Sequence, residues 1–187
     1  MGQQHVGGGN QGIYSLTRRA VVASIAVVLP VARAFAAAVP ASTPSASIDA
    51  SRCTIKTGTS DDSIGLESFR GKILYLDFWA SWCGPCLLSF PFMNQLQRNY
   101  ADKGLEVLAI NMDEDKQAAR RFLGEHPATF RVALGPNVPC ARDLEVAAMP
   151  TSLLIDRSGK VRKRHAGFRF GDIGPLRNAV EELLSEA

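Results

Sequence analysis

The hydrophobic pattern from Ile73 onward alternates between strand-like and helix-like segments. Ile73–Trp79 is an almost unbroken apolar run with aromatic and β-branched residues, which is typical of a strand buried on both faces of a sheet. Leu105–Met112 has the same character and predicts a second buried strand. Asp77 interrupts the first run, at a position where an ionised carboxylate is costly to bury.

Helical spacing follows the first of these strands. Apolar side chains recur at helical spacing from Pro85 to Tyr100, and Pro91 inside this predicted helix is expected to kink it. The remaining predicted elements are a helix over Lys116–Gly124 capped by Asp113 or Asp115, a strand over Phe130–Leu134, a short helix over Ala141–Val146, a hairpin of strands Thr151–Ile155 and Val161–Ala166, and a last helix over Asp172–Glu186 with Asp172 as its cap. This order predicts an α/β fold with a mixed central sheet and helices on both faces.

The N-terminal part has a different character and predicts a targeting segment. A polar, glycine-rich stretch precedes Arg18 and Arg19, and an apolar run over Ala20–Val31 leads into small residues up to Ala38. The run is shorter than the roughly 20 residues that a membrane-spanning helix needs. We expect residues 1–38 to be a cleaved export signal, with an uncleaved anchor as the alternative. The arginine pair resembles a twin-arginine signal, and an ordinary secretory signal is the alternative.

Composition and charge then separate a tether from a folded domain. Residues 39–52 are rich in Ala, Ser and Pro and predict a flexible tether, and residues 53–187 predict one domain with a substantial core. The formal net charge is +3, and Arg18, Arg19 and Arg33 supply it because no acidic residue precedes Asp49. The near-neutral domain carries no charge signature for nucleic acid or an anionic membrane.

The strongest chemical signal is Cys83-Gly84-Pro85-Cys86, directly after the first buried strand and at the start of the helix. Unpaired N–H groups and the positive end of the helix dipole favour the thiolate form of a cysteine there. A zinc site needs four ligands, usually from two such cysteine pairs or a Cys/His set, and this chain has no second pair. Haem attachment needs a His directly after the second Cys, and Leu87 stands there. The motif therefore predicts a redox-active disulfide without a metal or cofactor, and a purely structural disulfide is the alternative.

Cys53 and Cys140 remain after this assignment. An exported protein with four cysteines invites a second, structural disulfide between them. Each of the two could instead be a small buried residue with a free thiol. Connectivity does not follow from the sequence, so both possibilities stay open here.

These motifs resemble the thioredoxins. Asp77–Cys86 is similar to their active-site segment, Pro91 to their helix kink, Met149–Asp156 to their cis-proline strand and Gly167 to a glycine near their site. The spacing, the export signal and two further stretches resemble the TlpA/ResA-like branch of bacterial extracytoplasmic proteins. These stretches are Phe90–Asn94 and Ile110–Asp113. The resemblance implies a thioredoxin-like fold with a TlpA-like N-terminal extension.

The resemblance also implies roles for the candidate site residues. Cys83 is expected to be the exposed attacking thiolate and Cys86 the buried resolving thiol. Asp77 is a candidate to accept the proton of Cys86, and a purely structural aspartate is the alternative. Many TlpA-like proteins carry Asn at this position and a Glu where this chain has Ser89. The chain therefore follows the thioredoxin arrangement here.

The remaining site expectations concern substrate binding. Pro150 is expected to be cis and to present the backbone of Met149 to an extended client peptide. Trp82 is expected to cover one side of the site. Thioredoxins carry a lysine where Ala109 stands, so proton transfer is expected to be tuned differently in this chain.

The expected function is an extracytoplasmic thiol–disulfide oxidoreductase that reduces protein disulfides. The alternatives are a disulfide oxidase or isomerase and a non-catalytic metallochaperone on the same fold. The expected partners are client proteins with cysteines or disulfides, such as cytochrome c maturation components, and a membrane thiol reductant of the DsbD/CcdA kind. The protein is expected in the periplasm as a monomer, with no nucleic-acid partner.

Overall fold

The computed structural model describes residues 49–50, 53–56 and 63–186. The predicted export signal over residues 1–38 and most of the predicted tether lie outside the described residues. Within the described part of the chain, no helix is long and apolar enough to cross a membrane. Asp49 forms a β-bridge with Lys160, and Ala50 is buried. Among the described residues, packing thus already includes Asp49 and Ala50, before the boundary at Cys53 that composition indicates.

A five-stranded mixed sheet forms the centre of the described part. Its strand order is β5-β4-β3-β6-β7, with β3, β4 and β5 parallel and with β6 and β7 antiparallel to their neighbours. The elements are β1 (Thr54–Lys56), β2 (Ser63–Gly65), β3 (Ile73–Trp79), α1 (Cys86–Tyr100), β4 (Leu105–Asn111), α2 (Lys116–Glu125), β5 (Arg131–Ala133), α3 (Val138–Asp143), β6 (Thr151–Ile155), β7 (Val161–Ala166) and α4 (Ile173–Ser185). The α/β class and the mixed sheet predicted from the sequence are confirmed.

Strand β3 is buried along its whole length because its two faces enter two different cores. Tyr75 and Trp79 point into a cluster shared with α1, α2 and α4, which we call the active-site core. Leu76 and Phe78 point into a second cluster shared with β1 and α3, which we call the hairpin core. Strict alternation places Asp77 on the same face as Tyr75 and Trp79. The sheet therefore presents the Asp77 carboxyl to the layer that contains α1.

Three local features differ from the sequence expectations. The β1–β2 hairpin was not predicted, because its strands have only three residues each. The short helix lies at Val138–Asp143 instead of Ala141–Val146, since Pro139 favours a helix start. Helix α4 starts at Ile173, and the side chain of Asp172 accepts a hydrogen bond from the Arg169 N–H instead of capping this helix.

Candidate active site

A disulfide joins Cys83 and Cys86 in the turn between β3 and α1, and their Cα atoms are 5.4 Å apart. The Cys83 N–H donates to the Ala80 carbonyl, and the Cys83 carbonyl accepts from the Cys86 N–H, each at 3.1 Å. Helix α1 starts at Cys86 and continues through Pro91. The sulfur of Cys83 thus lies ahead of the helix N-terminus, whose N–H groups and dipole favour a thiolate after reduction.

The expected exposure of Cys83 is wrong for this oxidised form. Cys83 is only 4% exposed and Cys86 is fully buried, while the neighbouring Trp82 is 70% exposed. Cys83 is covered because it packs into the active-site core, whose rings Trp79 and Phe90 lie 4.9 Å apart. Cys83 is still the more exposed residue of the two. The indole of the neighbouring Trp82 is exposed, and its role in covering the site stays a prediction.

The Met149–Pro150 peptide bond is cis and lies at the same edge of the sheet as the disulfide. Thr151 pairs with Phe78 near the end of β3, so Pro150 comes next to the point where the chain turns toward Cys83. The Pro150 carbonyl accepts a hydrogen bond of 2.8 Å from the Gly167 N–H. Gly167 has φ +79°, a conformation that favours glycine. Met149 is half-buried against the active-site core.

Asp77 is completely buried on the face of β3 that bears the active-site core. Its Oδ1 accepts a hydrogen bond of 2.7 Å from the Ser152 hydroxyl, and its Oδ2 has no hydrogen-bond partner among the described residues. Burial raises the pKa of the Asp77 carboxyl to about 7, and the Ser152 hydrogen bond opposes this rise. Ala109 is the neighbour of Asp77 on β4 and carries no charge. The carboxyl can therefore exchange a proton near neutral pH.

Two carboxylates near α2 have different tasks, which sequence reasoning did not separate. Asp115 caps α2 by accepting from the Gln117 N–H at 2.9 Å. Asp113 is buried and instead accepts from the Ser81 N–H at 2.9 and 3.2 Å, and from the Asn111 side chain at 2.8 Å. It therefore fixes the backbone just before Cys83. An acidic residue at the end of β4, beside the end of the parallel strand β3, is the signal that could have identified it.

Ser89 occupies the place where many TlpA-like proteins carry Glu, and it is buried. Its hydroxyl donates to the Cys86 carbonyl at 3.1 Å. This position therefore supplies no carboxylate to the site. Of the residues predicted from sequence, the structure brings Cys83, Cys86 and Asp77 into one layer.

The second disulfide joins Cys53 and Cys140 across a sequence separation of 87 residues. Both cysteines are buried in the hairpin core, on the opposite face of the sheet from Cys83 and Cys86. Within the ranges that the structure describes, no group of three or more His, Cys, Asp or Glu side chains is arranged to hold a metal ion.

Fold and site together define a thioredoxin-like protein with a disulfide at a helix start beside a cis-proline. The chain belongs to the Redoxin family, whose family model matches residues 37–180. It is 34% identical to the thiol-disulfide oxidoreductase ResA of Bacillus cereus over 113 residues, 60% of this chain and 65% of that one. It is 33% identical to Bacillus subtilis ResA over 105 residues, 56% of this chain and 59% of that one. The chain thus spans less than two-thirds of the length of these curated relatives.

Two solved structures of proteins with thiol–disulfide assignments are also similar to this chain. A Chlorobium tepidum protein assigned as the thiol:disulfide interchange protein DsbE is 44% identical, with a TM-score of 0.66 over 71% of this chain and 92% of that one. A Bacteroides thetaiotaomicron protein assigned as a protein disulfide isomerase is 28% identical, with a TM-score of 0.63 over 71% and 86% of the two chains. The resemblance to the TlpA/ResA-like branch is confirmed.

Proposed function

We propose that the protein is an extracytoplasmic thiol–disulfide oxidoreductase that reduces protein disulfides with the Cys83–Cys86 couple. One observation carries this proposal. The two cysteines form a disulfide at the start of α1, in the same layer as a buried carboxyl, Asp77, whose pKa is about 7. A thiol couple with a nearby group that accepts protons near neutral pH is suited to disulfide exchange.

The reaction would use the reduced protein. The Cys83 thiolate attacks one sulfur of a client disulfide, forms a mixed disulfide and releases the first client thiolate. Cys86 then transfers its proton to the Asp77 carboxylate and attacks the sulfur of Cys83. The second client thiolate leaves, and the Cys83–Cys86 disulfide re-forms. Two electrons pass from the dithiol to the client.

Client binding would use the edge of the sheet beside the disulfide. Pro150 and Met149 lie where β3 ends, so an extended client segment can approach the Met149 backbone as an added strand. Trp82 offers an exposed indole next to Cys83. Aromatic side chains of this kind contribute much of the contact energy in protein–protein recognition.

The location and the electron source belong to the same proposal. Residues 1–38 would export the chain to the periplasm as a monomeric protein. A reductase outside the cytoplasm is oxidised in each turnover, so it needs a continuous supply of electrons. A membrane thiol reductant of the DsbD/CcdA kind would provide it, and cytochrome c maturation components would be among the clients.

A disulfide oxidase or isomerase is the second candidate, and the Bacteroides thetaiotaomicron protein assigned as an isomerase favours it. Gly84-Pro85 between the cysteines favours the reductase, because this dipeptide resembles the one in thioredoxins. Thioredoxin has a potential of about −270 mV, against about −180 mV for protein disulfide isomerase.

Trapping of mixed disulfides tests the proposed activity. Cys86→Ser removes the resolving thiol, so we expect Cys83 to stay bound to client cysteines in periplasmic extracts. Non-reducing gels followed by mass spectrometry would identify these complexes. Cys83→Ser is the matched control and should trap far fewer clients. Equal trapping by the two variants would contradict the assignment of attacking and resolving roles.

A further inference from the structure

A row of polar side chains crosses three neighbouring strands on the face that bears Asp77. Asp77 on β3 is the register partner of Ser152 on β6, and Ser152 is the register partner of His165 on β7. Directly opposed residues in antiparallel strands place their side chains on the same face, with Cβ atoms about 5 Å apart. The three side chains therefore lie side by side in the sheet.

Contacts within hydrogen-bond distance occur at the two ends of the row, while Ser152 and His165 are neighbours through strand register. The Ser152 hydroxyl donates to Asp77 Oδ1 at 2.7 Å, and His165 Nε2 lies 3.2 Å from Asp172 Oδ2. Exposure increases along the row. Asp77 is fully buried and Ser152 is 3% exposed, whereas the side chains of His165 and Asp172 are 23% and 18% exposed. The row thus leads from a buried carboxyl to a partly exposed imidazole, whose Nε2 atom is itself buried.

Other ionisable groups near the row do not alter its course from the buried carboxyl of Asp77 to the imidazole of His165. Tyr75 is buried beside it, and burial together with the charge of Asp77 raises the pKa of its phenol, so Tyr75 stays neutral. Arg169 faces the outer end, where its Nε lies 3.9 Å from Asp172 Oδ2. On the helix side the row shares its layer with Cys86 of α1. On β4 the neighbour of Asp77 is the uncharged Ala109.

The proposed reaction requires an exit for a proton. Asp77 receives the proton of Cys86 in each turnover and must release it before the next one, but it has no contact with solvent. Ser152 is the group that the structure places in hydrogen-bond contact with Asp77. Imidazole is the side chain best suited to accept and release protons near neutral pH.

We infer that Ser152 and His165 are positioning residues that conduct the proton of Cys86 from Asp77 to solvent. This inference rests on the proposed function. The Asp77 carboxyl gives its proton to the Ser152 oxygen, and the hydroxyl proton of Ser152 passes to the His165 imidazole. Asp172 stabilises the resulting imidazolium, which then loses its proton to water. Asp77 returns to the carboxylate form, Ser152 and His165 also end in their starting forms, and the net change is that the proton of Cys86 passes to water.

A chromogenic disulfide separates the two chemical steps without a client. Reduced full-length protein reacts with 5,5′-dithiobis(2-nitrobenzoic acid), and attack by Cys83 releases the first thionitrobenzoate. Attack by Cys86 on the mixed disulfide releases the second. Only the second step needs the proton of Cys86 to leave. The rates of both releases would be measured by stopped flow from acid to alkaline pH.

The variants are His165→Ala and Ser152→Ala, with His126→Ala as a matched histidine control on the far end of α2. With an Asp77 pKa of about 7, a large share of the carboxyls already holds a proton near neutral pH and must release it along the row before Cys86 can be deprotonated, so we expect loss of the relay to slow the second release by roughly tenfold there. The first release should not change. The difference should vanish at alkaline pH, where Cys86 ionises without help. Added imidazole should restore His165→Ala but not Ser152→Ala.

Two results would overturn the relay. One is a second release at the wild-type rate in His165→Ala at every pH. The other is a slowed release that imidazole does not restore, since this would indicate a structural role for the contact between His165 and Asp172. The chromogenic reagent takes the place of the client in this assay. If imidazole restores the second release in His165→Ala but the protein traps no client proteins, the relay is supported. Only the assignment as a protein-disulfide reductase is then contradicted.

Discussion

The two disulfides of this protein are buried to similar degrees but lie in different chemical surroundings. Cys53 and Cys140 are 2% and 1% exposed, against 4% and 0% for Cys83 and Cys86. Cys53 and Cys140 are surrounded by the apolar hairpin core. Cys83 and Cys86 instead lie at a helix start, beside exposed Trp82 and in the same layer as the buried carboxyl of Asp77. Burial therefore does not distinguish a reactive disulfide from a structural one here.

The loops that the two bonds close also differ. Cys53 and Cys140 are 87 residues apart in sequence, and Cys83 and Cys86 are three apart. In the chain-entropy model, closing the long loop stabilises the folded state by roughly 4–5 kcal/mol, and closing the short one by about 2 kcal/mol. The comparison assigns stability mainly to the first bond and reactivity to the second.

The largest expected effect is on stability. The double variant Cys53→Ala/Cys140→Ala should lose up to roughly 4–5 kcal/mol of unfolding free energy, because its unfolded chain regains the entropy of the long loop. Urea denaturation of the oxidised proteins measures this loss. The matched control is Cys83→Ala/Cys86→Ala, which should lose less. A larger loss in the control would break the comparison.

The next effect depends on pH. The folded-state pKa of Asp77, about 7, lies above its ordinary value of 3.8, so the folded protein binds more protons than the unfolded chain between these values. The stability that the neutral carboxyl supplies is complete below about pH 4 and is lost as the pH rises to about 7. This loss amounts to about 4 kcal/mol.

Asp77→Asn removes the cost of burying a charge and tests this dependence. Denaturation curves should show the variant to be more stable than the wild type by a few kcal/mol near pH 8, and similar to it near pH 4. A stability difference that is the same at both values would show that Asp77 does not change protonation in this range. The candidate proton acceptor would then have to be another group.

A smaller effect concerns the turn that holds Cys83. Asp113→Ala leaves the Ser81 N–H without its carboxylate acceptor, which should cost about 1–3 kcal/mol and speed hydrogen exchange at Ser81. Asp115→Ala is the matched control, since it removes only the cap of α2 and should cost about 1 kcal/mol. Equal rates of hydrogen exchange at the Ser81 N–H in both variants would contradict the role of Asp113 in fixing the turn.

The difference between these regions also explains what the sequence could predict. Ile73–Trp79 and the motif after it form one continuous signal, so β3, α1 and the reactive cysteines follow from local patterns. The β1–β2 hairpin has too few residues to show a period. Strand register brings Ser152 beside Asp77 and His165 beside Ser152, and sequence spacing does not reveal this register. The polar row beside Asp77 therefore needed the structure.

The measurement that tests the central claim most directly is the redox potential of each disulfide in one experiment. The protein would be equilibrated in thiol–disulfide buffers of defined potential, alkylated and digested, and the peptides of both cysteine pairs would be quantified by mass spectrometry. The Cys83–Cys86 couple should have a potential near the thioredoxin value of about −270 mV, while Cys53–Cys140 should stay oxidised to below about −300 mV. A Cys83–Cys86 potential above about −180 mV would contradict the reductase and favour an oxidase or isomerase.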